Sequence, residues 1–226
     1  MNYVFVDFEM NPIRRAYKDE RKICKNEIIE IGAVILDENY EEFKSYKQYV
    51  KPVFNERISQ RVEELTSITN ETVENAPLFK DAIIDFIDFC VKYCGKDNYT
   101  VYAWSGSDLE QLEGEVALKG IDDDDNYRYM VENWVDFQKE YSKILHIHSK
   151  MSLEKAISSI EKEFDGQQHD AMWDARNTAR LFSLSRDKEK FVEIMSPILE
   201  TFKEEKEPVS TTLGELFNFD GIDFGE

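Results

Sequence analysis

The sequence is short of cysteine, of basic charge and of long apolar runs, and each shortage removes a class of protein. Three cysteines, Cys24, Cys90 and Cys94, are too few and too unevenly spaced for a disulfide framework, so a reducing compartment is expected, with the cytoplasm as the default address. No apolar stretch approaches the ~18 to 20 residues that span a bilayer. The chain opens on a strand-like stretch rather than on the charged, apolar and cleavage regions of a leader, so no membrane association is expected. Basic residues number 28 against 47 acidic ones, for a net charge of -19. Such a surface repels polyanions at long range and argues against a protein that coats nucleic acid. An enzyme that grips only a strand end is not excluded, because few phosphates need be neutralised there by a local basic patch or bound cations. Internal repeats and low-complexity tracts are also absent. What is present is a chain of 226 residues with 42% hydrophobic content, enough to bury the core of one generous domain.

The stretch Val4-Phe5-Val6-Asp7-Phe8-Glu9 alternates with period two, placing Val4, Val6 and Phe8 on one face and Phe5, Asp7 and Glu9 on the other. Its aromatic and β-branched neighbours predict a buried central strand with Phe8 in the core. Two ionised acids on one buried face repel each other and lose hydration unless a cation compensates. The alternative, that Asp7 and Glu9 sit at an exposed strand end, stands beside it at this point.

Residues 11 to 25 read as a polar loop holding Arg14, Arg15, Lys18, Arg21, Lys22 and Lys25, either the best basic patch of an acidic protein or ordinary solvated charge. Glu27 to Leu36 and Glu42 to Val50 read as two further strands joined by the turn Asp37-Glu38-Asn39, giving a meander. Ile58 to Pro77 reads as irregular. From Leu78 the positions Phe79, Ile83, Phe86, Ile87 and Cys90 recur at helical spacing. Tyr99 to Trp104 is strand-like again, and Asp108 stands where the next helix begins, as a cap would. The run Asp122 to Asp125 lacks the ligand alternation and the glycine of a calcium loop and reads as solvated. Glu132 to Phe137 reads as a short extended piece. His146 and His148 invite a zinc site with Cys90 and Cys94, but those cysteines have the spacing of a helix face in a core, without a Cys-x-x-Cys knuckle. A helix capped by Ser152 is expected to about Glu163, and a last amphipathic helix over Phe191 to Phe202.

The stretch Gln168-His169-Asp170-Ala171-Met172-Trp173-Asp174-Ala175 carries the most chemistry. Ala171, Ala175, Thr178, Ala179 and Phe182 form a helical stripe whose small residues allow close packing on a sheet. Five helical steps would set His169 and Asp174 about 140° apart, too far to meet. If Asp170 caps a helix that begins at Ala171, His169 lies in the preceding loop and can fold back over the site that Asp174 enters. Imidazole is the side chain that titrates nearest neutral pH, suited to taking a proton from water that a metal has acidified. A loop histidine beside a first-turn acid favoured by the helix dipole is the competing reading.

The ordered set VFVDFEM, EIIEIGAVI, EELTSITNETVENAPLF, WSGSDLEQL and HDAMWDARNTARL resembles the DEDDh exonucleases of the ribonuclease H-like superfamily, from about Tyr3 to Leu184. The resemblance is greatest to 3′–5′ exoribonucleases and proofreading-type exonucleases. It implies an α/β fold, a ribonuclease H-like mixed five-stranded sheet with an antiparallel meander, flanked by helices. It implies that Asp7, Glu9, Asp108 and Asp174 hold two divalent ions, Mg²⁺ or Mn²⁺, with His169 as general base and Met10 lining the terminal nucleotide's pocket. The implied activity is 3′–5′ hydrolysis of single-stranded RNA or DNA ends with release of nucleoside 5′-monophosphates. The expected domain covers residues 1–206.

Residues 207–226 form a tail without lysine or arginine, rich in acidic and aromatic residues, that packs on its own domain or docks on a protein partner. Two rival functions stand beside the exonuclease reading: a non-catalytic or regulatory protein on the same fold that binds a partner through the acidic tail or surface, or a polymerase-associated proofreading subunit that docks through Leu213 to Phe219.

Overall fold

Alternation in the first strand and two apolar runs after it build the sheet on which everything else is placed. The computed structural model describes residues 1–121, 124–147, 150–160 and 163–201. Its strands are β1 (Asn2–Pro12), β2 (Asn26–Leu36), β3 (Glu42–Tyr49), β4 (Tyr99–Ala103) and β5 (Trp134–Asp136). They form one five-stranded sheet in the order β3-β2-β1-β4-β5. The β1–β2 and β2–β3 pairs are antiparallel, which is the expected meander, and β4 and β5 are added in parallel.

The helices are α1 (Glu20–Ile23), α2 (Gln60–Thr66), α3 (Asn70–Glu74), α4 (Phe79–Cys94), α5 (Ser107–Lys119), α6 (Asp125–Glu132), α7 (Phe137–Ile144), α8 (Leu153–Ser159), α9 (Ala171–Arg186) and α10 (Lys188–Thr201). On one sheet face Val4, Val6, Phe8, Ile31 and Ile35 meet Phe79, Ile83 and Phe86 of α4, Leu112 of α5 and Met130 of α6. On the other, Phe5, Val34 and Tyr102 meet Phe137 of α7, Ile157 of α8, Ala175 and Phe182 of α9, and Phe191 of α10. Asp7 and Glu9 therefore share the α9 face with Phe5, as the period of two requires.

A β-bulge interrupts the β1–β2 ladder: Glu9 faces Glu30, Met10 faces Ile28, and Ile29 is the extra residue. The bulge reverses the parity of β2, so Ile28 and Ile31 lie on the same side although three residues apart. Ile29 is left to a small separate cluster with Ile58, Ile68 and Val73.

Several expectations are corrected. The loop after Glu9 is shorter than read, because β1 runs on to Pro12 and Glu20–Ile23 form a helical turn. The segment Ile58 to Pro77 is not irregular but holds α2 and α3, too short for periodicity to show. Ser59 caps the first, and Thr69 with Thr72 makes a capping box for the second. Asp124 is a cap for α6, accepting from the Tyr127 amide at 2.8 Å, rather than merely solvated. The helix begun by Ser152 ends at Ser159, short of Glu163, and α10 starts at Lys188, before Phe191. Cys90 and Cys94 are free thiols buried in the core, as their helical spacing implied. His148, Asp122, Asp123, Phe202 and the whole 207–226 tail with Leu213 to Phe219 lie outside the described residues. Among the described residues no helix is long and apolar enough to cross a membrane.

Candidate functional site

Glu9, His169 and Asp174 come together: one ligand atom from each lies within 4.8 Å of the other two. The sequence places Glu9 160 positions or more from His169 and Asp174, and three local devices bring them into contact.

The first device is the start of α9. Asp170 is its N-cap, accepting from the Trp173 amide at 3.3 Å, and the helix begins at Ala171, as read from the sequence. His169 adopts a left-handed backbone with φ of 60°, a conformation that histidine enters more readily than most residues. The His169 backbone N–H lies near enough to the Asp174 carboxylate to favour its ionised form.

The second device is Gly32, directly opposite Asp7 in the ladder. A β-carbon at Gly32 would stand 2.1 Å from the carbonyl carbon of Ala171 and from the nitrogen of Met172, so only glycine lets α9 approach this closely. Sequence reasoning found the small residues on the helix side, Ala171 and Ala175, and missed their counterpart in the strand. The glycine inside EIIEIGAVI was the available signal.

The third device is Lys47 of β3, which pairs with both Glu30, at 2.7 Å, and the cap Asp170. Glu30 is 1% exposed and faces Glu9 across the ladder. This strut was also missed, although two glutamates inside an otherwise apolar strand mark it.

Asp108 is buried at 5% exposure, and the capping alternative is not realised. Gly106 holds the N-cap position of α5, and Asp108 sits within the first turn, its Oδ1 accepting from the Phe8 amide at 3.3 Å. A strand amide between Asp7 and Glu9 thus fixes the third carboxylate beside the first two. Asp136, the cap of α7 at the end of β5, adds further negative potential there. Met10 follows the bulge and is half-buried against the α4-side core.

The electrostatics are one-sided. Burial pushes Glu9 up to about 8, with Asp174 and Glu30 adding repulsion. Burial raises Asp108 and Asp174 to about 7 each, against the opposing hydrogen bonds from the Phe8 and His169 amides. Asp7 is raised well above the usual carboxylate range by burial and then by Asp108, Asp174 and Glu9. Among the described residues no lysine or arginine pairs with any of these four acids. Asp174 Oδ1 is buried without a hydrogen-bond partner. An orphaned carboxylate oxygen, crowded acids and an all-oxygen donor set with one imidazole are what a hard divalent cation would satisfy.

A family model described as an exonuclease, RNase_T, matches residues 4–182. Rat 3′-5′ exoribonuclease 1 is 25% identical over 167 residues, 69% of this chain and 46% of the relative. The chain therefore spans about half the length of that relative. The nuclease domain of 3′hExo, a DEDDh family member solved bound to rAMP, superposes with a TM-score of 0.71 at 24% identity, covering 82% of this chain and 92% of that one. A Mg²⁺- and Mn²⁺-bound form of Pop2p from S. pombe superposes at 0.60 and 17% identity, over 83% and 84% of the two chains.

Proposed function

This chain belongs to the exonuclease family, and on that premise we propose that it is a metal-dependent 3′–5′ exonuclease. It hydrolyses the terminal phosphodiester bond of single-stranded RNA or DNA and releases nucleoside 5′-monophosphates. The observation that carries this reading is the convergence of Glu9, His169 and Asp174 within 4.8 Å, beside Asp7 and a buried Asp108.

In this reading Asp7, Glu9, Asp108 and Asp174 hold two divalent cations, for which oxygen donors favour Mg²⁺ or Mn²⁺ over zinc. Bound there, the cations supply Lewis acidity at the scissile phosphate. The Phe8 amide fixes Asp108 beside the strand acids, and the His169 amide favours the ionised form of Asp174. His169 is the one exposed member and takes a proton from the attacking water. Met10, beside the bulge, lines the pocket of the terminal nucleotide. The domain takes in residues 1–206, and three free thiols fit a reducing cytoplasm.

End-labelled single strands of RNA and DNA, incubated with Mg²⁺, with Mn²⁺ and with EDTA, test the reading. Stepwise 3′ shortening that needs a divalent cation is expected. Turnover undiminished by Asp7→Ala or Asp174→Ala, or none with either metal, would remove it.

A further inference from the structure

The connection from β1 to β2 carries a net positive charge in an acidic chain. Residues 13–25 hold six basic side chains and two acidic ones, in a protein with a net charge of -19. We propose that this segment anchors the phosphate backbone of a single strand upstream of the end that enters the carboxylate cluster. The proposal rests on the exonuclease reading and adds a binding surface to it.

Order is the first argument. Ile13 is 1% exposed and its amide donates to the Lys25 carbonyl at 3.0 Å, closing the base of the segment. Cys24 is buried against Gly114 of α5, where a β-carbon would stand 3.3 Å from the sulfur. Arg14 Nε donates to Asn55 Oδ1 at 3.1 Å, and Asn55 Nδ2 donates to the Pro12 carbonyl at 2.8 Å. Tyr17 sets its ring edge-on to Phe54 with centroids 5.3 Å apart. The segment is thus clamped to two neighbouring elements and presents its charges from a fixed frame.

Availability is the second argument. Lys22 is taken up by Asp19 at 2.6 Å. Arg15, Lys18 and Lys25 are exposed, and among the described residues none of them has an ion pair. Unpaired cations beside an exposed aromatic ring, Tyr17 at 38% exposure, are the combination that tracks a single strand, through phosphate neutralisation and base stacking.

Position is the third. β1 carries Asp7 and Glu9 and leads straight into the segment, and six residues from Glu9 to Arg15 reach no further than about 20 Å. Cations at that distance offset the long-range repulsion of the acidic surface where a strand must approach.

The test is fluorescence anisotropy of a labelled single strand of about twelve nucleotides in EDTA, which requires no turnover. The Arg15→Gln/Lys18→Gln/Lys25→Gln variant is expected to bind at least about ten-fold more weakly at low salt, with a salt slope shallower by about two. The charge-conserving variant Arg15→Lys/Lys18→Arg/Lys25→Arg is expected to bind as the wild type does. Equal affinity and slope for the neutral variant would overturn the proposal, as would an equal loss in the charge-conserving one. Release of nitrophenolate from a nucleoside 5′-nitrophenyl phosphate by the wild-type chain with Mn²⁺ reports on catalysis separately. Its absence, with charge-dependent strand binding intact, would remove the exonuclease reading and leave the surface standing.

Discussion

Gly32 lies directly under Ala171, with the space for a β-carbon already occupied by the backbone of α9 at 2.1 Å. Backbone cannot swing aside as a long side chain can, so the helix must lift or the sheet must bend. Gly32→Ala should cost about 1–3 kcal/mol in chemical denaturation and should also weaken Mn²⁺ binding, because Asp174 moves with the helix. A variant of wild-type stability and cation affinity would show that the close approach is dispensable.

His169 reaches the cluster from the exposed side, while Glu9 and Asp108 are buried and Asp7 and Asp174 half-buried. Replacing it with alanine should slow hydrolysis by roughly 10²–10⁴-fold. The Mn²⁺-induced rise in melting temperature should stay close to that of the wild type. Asp174→Ala should lose both activity and the rise. A His169→Ala protein that no longer responds to Mn²⁺ would make the imidazole a ligand rather than a base.

Stability should depend on pH in an unusual direction when cations are withheld. Folding raises Glu9 to about 8 and Asp108 and Asp174 to about 7, against about 4 in an unfolded chain. Groups raised on folding stabilise fully below their unfolded values and lose that contribution as pH climbs through the folded ones. In EDTA their share of the stability should therefore decline between about pH 5 and pH 8, and Asp174→Asn should flatten the decline. Mn²⁺ favours the ionised acids, so its stabilising effect should grow over the same interval. Denaturation curves at several pH values, with and without Mn²⁺, measure both effects; an identical slope in Asp174→Asn would sink the linkage.

Among the described residues Lys47 is the only cation paired with Glu30, and it holds the α9 cap as well. Removing it leaves Glu30 buried and unpaired, yet Lys47 is itself partly exposed and its contribution is screened. Lys47→Ala should cost about 2–3 kcal/mol. Adding Glu30→Gln should recover much of that loss, because the stranded charge goes with it. A double variant no more stable than Lys47→Ala would place the cost elsewhere.

The parts of the site that depend on short-range periodicity were legible. Alternation alone put Asp7 and Glu9 on one face, and the cap at Asp170 put His169 where it could fold back toward Asp174. The antiparallel meander was also legible in the strand-like patterning of its three segments, whereas the five-stranded mixed sheet followed from the family resemblance: β3 is largely polar and exposed and β5 is only three residues long. What escaped was set by contacts between distant residues. Nothing local tells whether Asp108 caps its own helix or accepts an amide from Phe8, 100 residues away. Gly32 matters only because of what packs on it, and Lys47 only because two acids from other elements converge on it. The helices α2 and α3 escaped for another reason: seven and five residues are too few to repeat an apolar pattern, and their stability comes from caps and from docking on Ile29.

β1 is paired with β2 from Tyr3 to Pro12 and with β4 over Asn2 to Phe5, whereas His169 stands in an exposed left-handed turn. Amide deuterium exchange would divide the site accordingly, with the amides of β1 exchanging only through global opening and the turn at His169 exchanging through small local fluctuations. Asp7 and Glu9 thus stay on a held strand, so the imidazole can leave and return while the carboxylates of β1 that it serves remain in place.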